Sequence, residues 1–355
     1  MVKGIDLLFQ STLAAPAKLA TIRAVIVIEK HWRRILATVV LLGLGCFVTA
    51  AYWSGSEIAS PSRRPLMDYH RDFLSNPAAH GIHIETFIAS DGTPCLIVTP
   101  EPSGRLGDRG TIIRQQLDEH GRSLPPPGEI IGTLVLTHGR KGRKEDYLPI
   151  AERLCAVGFR CLMPDLPAHG DHPAAMATYG IREKGLPHLV LREAAEHHAF
   201  HPAPAGLIGM SMGASVAVHA AAREDAPWRA LVVISSFDSL KNVVYGQASR
   251  RVGNMIAAPF CTTSFWVYEW KTGIRLDEIQ PREHAASIRM PTLVAHGTAD
   301  HVIAASAGRN LFEALPKDVP NQWVEVPGAD HDNVLITDFP IYAEIAEWML
   351  RHLPE

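Results

Sequence analysis

The chain has 355 residues, 47% of them hydrophobic, 20% charged and 7% aromatic, and its formal net charge is -3. That excludes disordered and fibrous classes and leaves enough chain for one large or two medium domains with a core that needs no metal or disulfide staple. The 34 Lys and Arg are balanced by 37 Asp and Glu, so no global field draws nucleic acid, and the body of the chain carries no local basic patch. Five cysteines, Cys46, Cys95, Cys155, Cys161 and Cys261, are an odd number without a CxxC pair, which implies neither a zinc site nor a disulfide scaffold.

The first 34 residues hold Lys3, Lys18, Arg23, Lys30, Arg33 and Arg34 against Asp6 and Glu29, a net +4. Residues 35–53 follow with no charge at all; as a helix these 19 residues span about 28 Å, one bilayer core. Trp32, Tyr52 and Trp53 stand at its two ends, where aromatic rings favour the headgroup interface. The expectation is a single transmembrane helix over 35–53 whose basic arm, 1–34, stays in the cytoplasm while everything after Trp53 is exported. Three readings compete with it. A cleaved signal peptide would use the small residues Val48-Thr49-Ala50 and release a secreted protein, a lipoprotein signal would end at Cys46, and a core helix would be buried.

Residues 54–65 are rich in Ser, Pro and charge and are expected to open a linker that runs to about residue 79. From residue 80 to the end, short apolar runs recur at 82–88, 95–99, 130–137, 159–163, 205–209, 230–235, 291–295 and 322–326, a count of eight strands. Asp91-Gly92 marks a hairpin between the first two. Helical stretches at 144–157, 183–200, 212–223, 303–315 and 338–352 separate the later ones, so the sheet is mostly parallel with helices on both faces. Two segments break the rhythm. Residues 101–129, with Leu124-Pro125-Pro126-Pro127-Gly128, are too polar and broken for core and read as a loop excursion. Residues 239–288 concentrate Tyr245, Phe260, Phe265, Trp266, Tyr268 and Trp270 without a strand, which fits a cap over a site or a second small hydrophobic cluster.

The sharpest local signal is Gly209-Met210-Ser211-Met212-Gly213, placed between an apolar run and a small-residue helix. A strand that turns this sharply into a helix strains the serine backbone, and Gly209 and Gly213 give room where chain approaches chain. The helix start then points free N–H groups at a developing oxyanion. A plain glycine turn would share the pattern but needs no serine. A serine nucleophile requires a base held by a carboxylate. Asp300 follows the 291–295 run and His331 follows the 322–326 run, the strand ends where open sheets place their sites. Asp238 is the rival carboxylate; Asp330 and Asp332 are too near His331 in sequence to orient its ring. The second oxyanion donor is expected in the loop after 130–137, at the Arg140 main-chain N–H, with Met212 supplying the first. His138 and Gly139 are read as support for that loop. His197, His198 and His201 read as solvated surface, and no metal site is assigned.

Together these motifs resemble the α/β-hydrolase superfamily, in its esterase and serine-peptidase-like branches: Asp91-Gly92, HGRKGRKEDY at 138–147, DLPAHGD at 165–171, GMSMG at 209–213, HGTAD at 296–300 and GADHD at 328–332. The resemblance implies an eight-stranded sheet with its second strand antiparallel, Ser211 as nucleophile, His331 as base, Asp300 as acid, and Asp165 and His169 as backbone support. The expected function is cleavage of a small-molecule or lipid carboxylic ester through an acyl-enzyme, without cofactor. A peptidase or amidase with the same triad, and a non-catalytic binding protein on the same fold, are the alternatives.

Overall fold

The computed structural model describes residues 6–337 and 339–353 and divides into two units, Met1–Trp53 and Ser54–Glu355. The first unit is helical from Asp6 on and belongs to α1 (Asp6–Ala59), which continues into the second unit. The stretch Arg23–Ala59 is long and apolar enough to cross a membrane, and Leu36, Leu41 and Leu42 are exposed along it. Helix therefore extends through the part of the predicted arm that is described, beyond the 35–53 segment at both ends; residues 1–5 of that arm lie outside the described residues.

In the second unit, residues 54–59 are the last helical turns of α1, where a linker is expected from composition. Ile58 and Ala59 are buried in the core, so this end of the helix is packed structure. Then come α2 (Asp68–Ser75) and the strands β1 (Ile82–Ile88) and β2 (Pro94–Pro100). Glycine at position 92, with φ +86, makes the turn between them. The segment expected as a polar excursion contains α3 (Asp108–Glu119), whose Gly110, Ile113 and Leu117 face inward. This corrects the reading of 101–129 as outside the core. The buried Glu152 carboxylate accepts the Arg109 N–H at the start of α3 (2.9 Å) and the Arg109 guanidinium (3.1 Å), while Arg114 donates to the Ala156 carbonyl (2.7 Å). Polar residues on the other face of α3 hid a helix that needs only one apolar stripe.

The alternation that follows is β3 (Gly132–Thr137), α4 (Leu148–Ala156), β4 (Phe159–Pro164), α5 (Leu186–His197), β5 (Ala205–Met210), α6 (Met212–Ala221) and β6 (Trp228–Ile234). Next come α7 (Leu240–Val252), α8 (Asn254–Thr272) and α9 (Pro281–Ala285), then β7 (Thr292–Gly297), α10 (Ala305–Glu313), β8 (Asn321–Val326) and α11 (Ile341–His352). The last helix starts three residues later than its expected position at 338, a residue outside the described ones. The eight strands form one sheet in the order β1-β2-β4-β3-β5-β6-β7-β8, with β2 antiparallel to both neighbours and the rest parallel. Val135 of β3 faces one core cluster while Leu134 and Leu136 face the other, the period-two signature of a sheet covered on both sides.

The aromatic-rich stretch is helical. Trp266 and Trp270 point outward, 65% and 66% exposed, whereas Tyr268 is fully buried in the main core and donates to the Ala177 carbonyl (3.1 Å). Trp266 and Trp270 thus do not share a buried cluster with Tyr268. Helix α7 lies against the loop after β7, where Gln247 donates to Val302 O (3.3 Å) and Arg250 to His301 O (3.0 Å).

Candidate active site

Three parallel strands, β5, β7 and β8, end on the same edge and deliver Ser211, Asp300 and His331 in that chain order. Ser211 is the residue between β5 and α6, with φ 54 and ψ -117, a conformation that costs a non-glycine residue of the order of 1–3 kcal/mol. The turn is closed by crowding. A Cβ on Gly209 would collide with the Gly213 carbonyl, and one on Gly213 with the carbonyls of Thr137 and His138. Thr137 Oγ1 donates to the Gly213 carbonyl (2.9 Å), tying the end of β3 to the first turn of α6. The whole of α6 is buried, and its small residues let it sit close on the sheet.

His331 joins the other two residues. Its Nδ1 lies 2.8 Å from Asp300 Oδ2 and its Nε2 lies 3.0 Å from Ser211 Oγ. A carboxylate can only accept, so Nδ1 carries the proton, and Nε2 is left to accept from the serine hydroxyl. Asp300 Oδ1 accepts the main-chain N–H groups of Val302 (2.9 Å) and Ile303 (2.7 Å). Burial alone would push the Asp300 pKa up. The contacts of His296 and His331 and the Ile303 N–H outweigh it and hold the carboxyl well below the usual carboxylate range. His296, to which sequence reasoning gave no part, is the missed member. Its buried ring donates from Nε2 to Ile303 O (2.9 Å) and stands 3.3 Å from Asp300 Oδ2. Its spacing of four residues before Asp300, inside HGTAD, was the available signal.

The rival acidic residues go elsewhere. Asp238 accepts from Asn310 Nδ2 (2.8 Å), and Asp330 accepts the main-chain N–H groups of His301 (2.9 Å) and His331 (2.7 Å), shaping the loop and leaving the ring to Asp300. The loop after β3 passes beside the serine, for a Cβ on Gly139 would stand 3.5 Å from Ser211 Cβ. Arg140, the next residue, and Met212, the first residue of α6, are the positions expected to carry the two oxyanion N–H groups. As the first amide of a helix, Met212 N–H has no partner within it. His138 is buried and bridges two segments: Nδ1 donates to Gly139 O (2.9 Å) and Nε2 accepts the Leu166 N–H (3.0 Å). Burial pushes its pKa down, as a neutral structural histidine requires.

Below that loop, the buried Asp165 accepts Lys144 N (2.7 Å), Lys144 Nζ (2.8 Å) and Asp171 N (2.8 Å). Gly170, at φ +47, is packed so tightly on that carboxyl group that a side chain would collide with it. His198 pairs with Glu85 (2.6 Å) and His201 turns back on the Ala203 carbonyl (2.9 Å). Among the described residues, no group of three or more His, Cys, Asp or Glu could hold a metal ion.

Sheet order, the antiparallel second strand and the strand-turn-helix at Ser211 define the α/β-hydrolase fold, and this chain has it. Comparisons with known proteins agree. Residues 128–270 match the family model described as serine aminopeptidase, S33. An uncharacterized Mycobacterium tuberculosis protein is 26% identical over 211 residues, 58% of this chain and 64% of its own length. The α/β-hydrolase domain-containing protein aho-3 of Caenorhabditis elegans is 34% identical over 128 residues, 36% of this chain and 31% of its own. The chain therefore spans less than two thirds of the length of either relative. Among solved structures, a Pyrococcus furiosus esterase superposes with a TM-score of 0.57 at 16% identity, covering 83% of this chain and 98% of that one. The acylaminoacyl peptidase of Pyrococcus horikoshii gives 0.55 at 13% identity, covering 82% and 45%.

Proposed function

We propose that the second unit is a serine hydrolase that cleaves carboxylic esters through an acyl-enzyme. The observation that carries the reading is the continuous hydrogen-bonded line from Ser211 Oγ through His331 to Asp300. In the forward step His331 Nε2 takes the Ser211 proton as Oγ attacks the ester carbonyl carbon. The carbonyl oxygen becomes an oxyanion facing the Arg140 and Met212 amides. Collapse breaks the ester C–O bond, and the imidazolium returns its proton to the departing alcohol. Water then attacks the acyl carbon as it gives a proton to His331, and collapse breaks the acyl–Oγ bond, the imidazolium returning its proton to Ser211 Oγ as the acid leaves. Asp300 holds the imidazole in the required tautomer and balances the imidazolium charge.

Labelling by a fluorophosphonate tests this. The intact protein labels and turns over p-nitrophenyl esters, while Ser211→Ala does neither; an unlabelled wild type, or a Ser211→Ala variant with full esterase activity, would end the reading. A peptidase or amidase is the second reading, favoured by the serine aminopeptidase match. A graded panel of p-nitrophenyl esters beside aminoacyl amides separates the two. The apolar stretch 35–53 is proposed to anchor the chain in a membrane with its N-terminus in the cytoplasm and the hydrolase exported, where small-molecule or lipid esters are the candidate substrates.

A further inference from the structure

An α-helix leaves its last four carbonyls without intrahelical partners. At the end of α1 all four are taken. Ser56 O accepts Ser60 N (2.8 Å), Glu57 O accepts Arg140 Nη2 (2.8 Å), Ile58 O accepts the Tyr179 hydroxyl (2.9 Å) and Ala59 O accepts Ala177 N (2.8 Å). Three of these donors come from segments far along the chain. Gly55 completes the seat, because a side chain there would collide with Ser264 O and Val267 of α8. A loose tether has no use for such fittings.

The side chain of Glu57 reaches the loop after β3. Its Oε1 lies 2.9 Å from Lys141 Nζ and 3.2 Å from Arg140 Nη2. Arg140 and Lys141 are consecutive, follow Gly139, where a Cβ would stand 3.5 Å from Ser211 Cβ, and precede Gly142, whose N–H closes a turn onto Gly139 O (3.0 Å). Lys141 also sits at φ 63, a left-handed backbone that a lysine holds only when its surroundings fix it. Burial pushes the Glu57 pKa up, but the contacts with Lys141 and Arg140 outweigh it and leave the carboxyl below its ordinary range, ionised at neutral pH.

We infer that Glu57 is a positioning residue for catalysis: by gripping the side chains of Arg140 and Lys141 from the end of α1, it fixes the peptide that points the Arg140 N–H at the oxyanion. This rests on the serine-hydrolase reading above. An oxyanion donor acts on charge present only in the transition state, so a loosened loop lowers kcat and leaves KM. Residues 54–59 are then part of the active site although they precede the first strand by more than twenty residues.

Full-length protein in detergent micelles tests it, with p-nitrophenyl butyrate turnover and the rate of fluorophosphonate labelling. Glu57→Gln, which keeps shape and removes charge, is expected to lower kcat about tenfold with KM within twofold, and to slow labelling in parallel. Lys141→Met, which leaves the Arg140 contact of Glu57 in place, is expected to lower kcat by less, and the double variant to lose no more than Glu57→Gln alone, because that change already breaks both contacts. A Glu57→Gln protein with wild-type kcat, a loss confined to KM, or losses that multiply in the double variant would overturn the inference and leave the hydrolase reading standing. A wild type that neither labels nor turns over overturns both.

Discussion

Replacing Asp300 by Asn separates geometry from protonation at the site. Asp300 Oδ1 is bound by two main-chain donors, Val302 N at 2.9 Å and Ile303 N at 2.7 Å, so the amide oxygen must take that place. The NH2 group then occupies the Oδ2 position, 2.8 Å from His331 Nδ1 and 3.3 Å from His296 Nε2. His296 already spends its Nε2 proton on the Ile303 carbonyl and cannot accept. Only His331 can, by moving its proton from Nδ1 to Nε2. The Nε2–H then faces Ser211 Oγ at 3.0 Å and can no longer take the serine proton. A wrong tautomer of this kind costs roughly 10⁴-fold in kcat, about 5.5 kcal/mol on the barrier. Steady-state hydrolysis of p-nitrophenyl butyrate near neutral pH measures it, with Asp238→Asn, whose carboxylate holds Asn310, as a control expected to keep wild-type kcat. An Asp300→Asn enzyme within tenfold of wild type, or a large loss in the Asp238→Asn control, would refute the assignment of the carboxylate.

Acid should unfold the domain through its buried histidines before its carboxylates matter. Burial pulls His169 down to about 3 and His219 down to about 4, and the Nε2 of each is buried without a partner. Each folded pKa is below the unfolded value of about 6.5, so the stabilisation is complete above that pH and is lost as pH falls toward the folded pKa, by about 1.4 kcal/mol per pH unit per histidine. Urea midpoints should drop by the equivalent of about 2.5 kcal/mol between pH 6 and 5, and a flat profile there contradicts the burial. Truncating Leu117, fully buried on the inward face of α3, to Ala should cost about 2–5 kcal/mol as read by thermal unfolding, with kcat for p-nitrophenyl butyrate unchanged. A silent Leu117→Ala would return 101–129 to the status of a surface excursion.

What could be read from sequence follows how local each signal is. Strand positions stood out because apolar runs such as 130–137 and 205–209 are bounded by polar breaks, and the serine turn because its glycines are demanded by contacts within five residues and with the neighbouring strand. Asp300 and His331 were legible from their places just after strands, since the parallel sheet brings strand ends to one edge wherever they fall in sequence. Helix α3 was not, because its inward face is only Gly110, Ile113 and Leu117, a stripe too thin to register among Arg, Gln and Asp. The seat of residues 54–59 was illegible for a different reason. Ser, Gly and Glu there look like linker by composition, and the groups that make them structure, the Arg140 guanidinium and the Tyr179 hydroxyl, lie 83 and 121 residues downstream.

That distance bears on how the site is held. Ser211 and Asp300 are held by main-chain bonds, the Ser211 N–H to Ile234 O (2.9 Å) and the Val302 and Ile303 N–H groups to Asp300 Oδ1 (2.9 and 2.7 Å), none of which comes from Glu57. The loop of Arg140 and Lys141 leaves the sheet at Thr137, and much of its side-chain support comes from Glu57. On the proposed roles, Ser211 and His331 should keep their hydrogen bond when the loop is disturbed, and damage at residues 54–59 should yield a protein in which Ser211 is hydrogen-bonded to His331 but slow to acylate. Loss of the Ser211 to His331 contact yields a different defect, in which a phosphonate is not attacked at all. The labelling rate distinguishes them: a slower but complete reaction points to the loop, and no reaction to the triad.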